Sequence, residues 1–132
     1  METNPNFSRK LEVLHQGRSV IFDAPLEVLY FYRVSHLIFL VTLDGNEYRI
    51  KKTLSSLEEQ FENLNFMQIN RSVIINLNFV VDYEEGQKRD TLALVFKHTI
   101  NNIISKTEKE RLIVTKEHIS AIKKWANNRN IE

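Results

Sequence analysis

From Lys10 onward the chain is a series of short apolar runs separated by polar breaks, and the period of those runs decides what each predicts. Leu11 to Leu14 and Ser19 to Phe22, parted by His15-Gln16-Gly17-Arg18, predict a first strand pair with a glycine-containing turn. Pro25 introduces Leu26 to Tyr32, a strand rich in aromatic residues. Leu37 to Leu43 and Glu47 to Lys51 flank Asp44-Gly45-Asn46, and Asp-Gly between apolar runs is a hairpin signature. The period then lengthens: Leu54, Leu57, Phe61 and Leu64 recur at helical spacing. Thr53 or Ser55 can cap that helix, Ser55 with Glu58 fits a capping box, and Glu58, Glu59 and Glu62 read as its solvated face. Strands return at Phe66 to Ile69, Val73 to Ile75, Phe79 to Tyr83, Thr91 to Phe96 and Arg111 to Val114, with Glu84 to Asp90 as a charged hairpin loop. Ile100 to Ile104 is ambiguous, because Asn101 and Asn102 weaken it as a strand. Lys116 to Asn127 is helical again, with Ile119, Ile122 and Trp125 or Ala126 on one face. The order predicts a mainly β fold of small stacked antiparallel sheets with two short helices; a doubly wound sheet would need strands and helices to alternate.

One stretch carries chemistry. Phe66 to Val80 contains neither Gly nor Pro, yet its apolar runs are broken by Asn70, Arg71 and Ser72. Arg71 offers a planar fork suited to a phosphate or to the guanine edge, Asn70 an amide, and Ser72 a hydroxyl. The competing reading is a strand corner in which Asn and Ser bond nearby backbone and Arg71 is merely solvated.

Composition bounds the rest. A chain of 132 residues with 42% hydrophobic and 27% charged residues is one globular domain's worth. We expect a single domain over 10–127, a frayed stretch over 1–9 and a short tail over 128–132. Lys and Arg number 18 against 17 Asp and Glu, so the net charge of +1 announces no polyanionic partner and only the arrangement of charge can. The absence of cysteine removes disulfides, thiolate metal sites and cysteine nucleophiles, and fits a reducing compartment. METNPNFSRK has no apolar core of a signal peptide, and Arg33 and His36 interrupt the most apolar region, so a cytoplasmic protein that does not enter the membrane is expected. His15, His36, His98 and His118 are scattered, and no nucleophile or phosphate-cradling motif is present. Catalytic residues, metal and cofactor are all expected to be absent.

The strand with its Asp-Gly hairpin, the KTL helix start, FMQINRSVIINLNFVVDY and the closing LIVTKEHISAIKKW together resemble the LytTR DNA-binding domain found in bacterial response regulators. Asn70-Arg71-Ser72 stands where that family commonly has His-Arg-Ser, Asn76 matches its asparagine, and Lys116 stands where its closing motif has Arg. The resemblance covers about Lys10 to Asn127. It implies an elongated stack of three small sheets that binds double-stranded DNA through loops entering successive major grooves. Arg71 and Lys116 are then the implied base contacts, with Arg33 and His36 of the loop before Leu37 as weaker ones. Asn70, Ser72, Lys51, Lys52, Thr53 and Thr115 are the implied phosphate contacts. Lysine at 116 keeps the charge but loses the fork, which makes a phosphate role there equally apt. The resemblance also implies transcription regulation within a two-component system, a homodimer on repeated half-sites, and a receiver-domain or sensor partner. The second function considered is a protein-interaction module that pairs with another regulator, for which the aromatic strand Leu29 to Tyr32 suits core packing first and an interface second.

Overall fold

The computed structural model describes residues 9–130. Strands β1 (Lys10–His15) and β2 (Arg18–Asp23) form a two-stranded hairpin. Its turn residues Gln16 and Gly17 both take positive φ, 53° and 79°, the pair of values a two-residue turn between twisted strands requires. A short helix α1 (Ala24–Glu27) leads into β3 (Val28–Val34), and β4 (Leu37–Thr42) and β5 (Glu47–Ile50) follow. After helix α2 (Leu54–Phe61) come β6 (Phe66–Asn70) and β7 (Val73–Asn76), which complete an antiparallel five-stranded sheet in the order β5-β4-β3-β7-β6. Strands β8 (Val80–Glu85) and β9 (Leu92–Phe96) pair with the two-residue β10 (Ile113–Val114) in a third sheet. Helices α3 (His98–Asn101) and α4 (Lys106–Arg111) lie between β9 and β10, and α5 (Ile119–Asn130) ends the described chain.

The five-stranded sheet separates two cores, because successive side chains of a strand point to opposite faces. Phe31, Ile38, Leu40 and Ile74 pack on one face against Leu11, Val13 and Phe22 of the first hairpin and Leu57 and Phe61 of α2. Phe31 and Phe61 stack with ring centroids 5.9 Å apart. Tyr30, Tyr32, Val41, Val73 and Ile75 pack on the other face against Val80, Leu92 and Phe96, with Ile100, Ile104 and Ile122 closing that core. Full burial of such side chains stabilises by about 1.5–3 kcal/mol each. The sheet is thereby a rigid frame, and the aromatic strand belongs wholly to the cores: Leu29, Tyr30, Phe31 and Tyr32 are all buried. It presents no surface to a partner.

The expected stack of small antiparallel sheets is present, with differences in its helices. Ile100 and Ile104 lie four residues apart on a helical turn and are both buried, so the ambiguous run is α3 and its following turn, not a strand. Arg111 ends α4 instead of opening a strand. The capping box sits at Ser105 and Glu108, where the Ser105 hydroxyl accepts from Glu108 N (3.1 Å) and the Glu108 carboxylate accepts from Ser105 N (3.1 Å). At α2 the cap is Thr53, whose hydroxyl accepts from Ser56 N at 3.1 Å, and Ser55 is simply helical. Leu26 lies in α1, so β3 starts only at Val28. Residues 1–8, most of the predicted frayed stretch, lie outside the described residues, as do 131–132 of the tail. Arg9 is held by an ion pair with Asp23 at 3.0 Å, and α5 runs on through Asn130. Among the described residues no helix is long and apolar enough to cross a membrane.

Candidate nucleic-acid interface

Strand register decides where the polar breaks meet. Val34 pairs with Leu37 and Ile38 with Ile50, so the turn at Ser35-His36 and the segment Lys51-Lys52-Thr53 leave the same end of the five-stranded sheet. Tyr32 pairs with Val73 and Asn70 with Val73, which brings the Arg71-Ser72 turn to that end as well. The closing segment joins them through Thr115 N, which donates to Ile69 O at 3.0 Å. All ten residues implied by the sequence therefore gather at one end of one sheet. Arg33, His36, Lys51, Lys52, Thr53, Arg71 and Lys116 are exposed there, and Asn70, Ser72 and Thr115 are half-buried behind them.

The loops are braced against each other. Arg33 N donates to Ser72 O (2.8 Å), and the Arg33 guanidinium donates to Arg71 O (3.0 Å), tying the β3 end to the β6–β7 turn. Arg33 is thus engaged in shaping the Arg71 turn. The Arg71 guanidinium, among the described residues, has no hydrogen bond or ion pair and faces solvent. Asn70 behaves differently from its neighbour. Its amide donates to Arg111 O (3.1 Å) and Ile113 O (2.9 Å), while its carbonyl oxygen accepts from Ser72 N (2.8 Å). Both amide hydrogens are spent inside the protein, so a phosphate could receive neither without breaking a brace. The β6–β7 register slips between Gln68 and Asn70, which leaves the Ile69 carbonyl out of the ladder and available to Thr115.

Behind the closing segment lies a set of residues that no local pattern singled out. The Tyr30 hydroxyl donates to Glu108 at 2.7 Å and accepts from the Arg111 guanidinium at 3.0 Å. That guanidinium lies over the Tyr32 ring, 3.9 Å from its centroid. Burial, with the Glu108 carboxylate, pushes the Tyr30 hydroxyl's pKa upward, and burial pushes Tyr32 up to about 12. These partners are some 80 residues apart in the chain, and only the paired sheet and helix bring them together. Glu117, next to Lys116, was likewise not foreseen. Its own backbone N–H and the Thr115 hydroxyl hold its carboxyl below the ordinary range. A carboxylate thus already occupies the start of this last helical segment, which weakens the case for a phosphate at Thr115.

Thr53 caps α2 beside Lys51 and Lys52, which puts two cations at a helix N-terminus, where backbone N–H groups and the dipole favour an anion. The opposite end of the same sheet carries Glu27, Asp44 and Glu47. The same sheet thus carries cations at one end and carboxylates at the other, an arrangement that the near-neutral net charge does not reveal.

Comparison with known proteins bears on the family and the fold. Residues 18–113 match the LytTr DNA-binding domain. Among curated proteins nothing matches the chain. A solved structure, the LytTr DNA-binding domain of a protein described as a methyl-accepting/DNA response regulator from Bacillus cereus, superposes with a TM-score of 0.62. It covers 88% of this chain and 94% of its own at 15% identity, a likeness of fold. With the profile match spanning most of the sequence on a fold of the same kind, the chain belongs to the LytTr DNA-binding domain family.

Proposed function

We propose that this domain binds double-stranded DNA sequence-specifically through the basic end of its five-stranded sheet, as part of a transcriptional regulator. The observation that carries the reading is the gathering of Lys51, Lys52, His36, Arg71 and Lys116 in one exposed row on a rigid frame. The row's width decides how it engages a duplex. Strands lie about 4.8 Å apart, so the step from β5 to β6 alone spans roughly 19 Å. A major groove is about 12 Å wide, so a row laid across it overhangs its walls. In that orientation the end loops cross a phosphate backbone and reach the neighbouring groove, as loops reading successive grooves would. Arg71, unpaired and projecting, is suited to guanine O6 and N7. Lys51 and Lys52 at the α2 start anchor phosphate, and Lys116 serves as a charge near the far edge. His36 projects from the turn nearest the middle of the row. Arg33 and Asn70 act mainly by holding loops. Two copies on repeated half-sites would double the contact, and a receiver or sensor partner would supply the signal.

Salt dependence tests the reading. Affinity for duplex DNA should fall linearly on a log-log plot, with a slope of about −0.9 for each phosphate neutralised. Absence of binding to any of a pool of genomic fragments at about 50 mM salt would refute it.

A further inference from the structure

We propose that Asn70 is a positioning residue that fixes the spacing between the Arg71 turn and the Lys116 segment, with Arg111, Tyr30 and Glu108 as a second anchor for that spacing. The inference rests on the DNA reading above and adds to it how two loops far apart in sequence are held in one register. Three hydrogen bonds from one side chain carry it. The Asn70 carbonyl oxygen closes the turn onto Ser72 N (2.8 Å), which sets the backbone on either side of Arg71. The Asn70 amide reaches Arg111 O (3.1 Å) and Ile113 O (2.9 Å), the stretch that leads to Lys116. Both hydrogens and the oxygen of a single amide are thus shared between the two loops, so neither can shift without the other. The clasp is closed from the far side by the Arg111 side chain, which donates to Tyr30 Oη at 3.0 Å and covers the Tyr32 ring at 3.9 Å. Tyr30 is fully buried on β3, at the centre of the frame, and its hydroxyl also donates to Glu108 on α4. The carbonyl that Asn70 grips therefore belongs to a residue whose own side chain is locked to the sheet.

Such a brace matters because reading bases demands tighter placement than neutralising phosphates does. A lysine follows a displaced phosphate with its flexible stem, whereas an error of about 1 Å removes a base-edge hydrogen bond. Loosening the clasp should therefore damage sequence preference and leave charge-driven binding intact.

Asn70→Ser is the informative change, since a serine hydroxyl can still accept from Ser72 N but cannot reach both carbonyls. Sequences bound from random duplex DNA are selected with the unaltered protein, with Asn70→Ser and with Tyr30→Phe, each first shown to be folded by its urea transition. The expected result is a two-part motif for the unaltered protein. In Asn70→Ser the part on the Lys116 side, or its spacing from the Arg71 side, becomes blurred. Affinity for the preferred site should fall about tenfold, the cost of roughly one mispaired base position, while affinity for random duplex and the salt slope stay unchanged. Tyr30→Phe keeps the ring and should move the motif in the same direction by less. In the absence of DNA, the Thr115 amide should exchange hydrogen faster in Asn70→Ser. An unaltered motif, an equal loss on every sequence, or unaltered Thr115 exchange would overturn the positioning role while leaving DNA binding in place. If the unaltered protein enriches no sequence, the base-reading proposal itself fails.

Discussion

Two asparagines close the two ends of the β6–β7 pair, and they use the same device for different purposes. At the acidic end Asn76 is completely buried; its amide donates to Pro25 O (3.0 Å) and Val28 O (2.8 Å), and its oxygen accepts from Asn78 N (3.0 Å). At the basic end Asn70 repeats that pattern with Arg111 O, Ile113 O and Ser72 N, half-buried. In each case a strand end becomes a turn closed by the side-chain oxygen, while the amide nitrogen donates to two carbonyls of another segment. What differs is the residue enclosed. Between Asn76 and its turn partner stands Leu77, buried in the core; between Asn70 and Ser72 stands Arg71, pointing into water. One clasp joins parts of the fold, and the other holds out a cation. The lesson is that a rigid backbone motif acquires a function from the single side chain it presents.

The comparison can be broken most forcefully at the buried end. Asn76→Ala leaves the Pro25 and Val28 carbonyls buried without their donor, and should destabilise the domain by about 2 to 4 kcal/mol in urea denaturation. The sequence preference of whatever protein remains folded should be unaltered. If Asn76→Ala instead changes the selected motif, the two ends are not separate in function. Arg71→Ala should do the reverse. Stability should stay within about 0.5 kcal/mol of the unaltered protein, and affinity for the preferred site should fall by about 1 to 3 kcal/mol with relaxed preference at one base pair. An equal loss on every duplex would make Arg71 a phosphate contact.

Changing Lys51 and Lys52 together to Ala should weaken binding about equally on all sequences and lower the salt slope by about 2. A changed motif would move these lysines from anchors to readers. The smallest effect is expected from pH. The Asp44 carboxyl, at the acidic end, is held below the ordinary range chiefly by the Thr42 hydroxyl, and Glu117 at the basic end chiefly by its own backbone N–H. A depressed carboxyl binds its proton more weakly when folded. Its contribution is therefore complete above the ordinary carboxylate range and disappears as pH falls through the lowered value. Urea midpoints should decline between about pH 5 and pH 3, around the ordinary carboxylate range, with Asp44→Asn and Glu117→Gln each flattening part of the decline. Because Glu117 stands beside Lys116, Glu117→Gln should also strengthen DNA binding slightly, whereas Asp44→Asn should not.

Much of the fold was legible from local pattern. Period-two runs with Asp44-Gly45 and Gln16-Gly17 between them marked the hairpins, and the spacing of Leu54, Leu57 and Phe61 marked α2. The region from His98 to Arg111 was harder, because its apolar residues are few and its helices are four and six residues long. The capping box at Ser105 and Glu108 was a signal there that a search for strand periodicity overlooks. The candidate site was legible as residue types, but the division of labour within it was not: Arg33, Asn70 and Arg71 are all polar breaks in the sequence.

By itself the sequence determined most of the strands, the two longest helices, the family and the residues at the strand ends, since these follow from periodicity, turn chemistry and motif, all of which act over a few neighbouring positions. Only the tertiary structure decided which strand ends face the same way, that one end of the five-stranded sheet is basic and the other acidic, and that Asn70 spends its amide on Arg111 and Ile113 while Arg71 remains free. Those outcomes depend on sheet register and on contacts between residues some 40 to 80 positions apart, which no local pattern encodes.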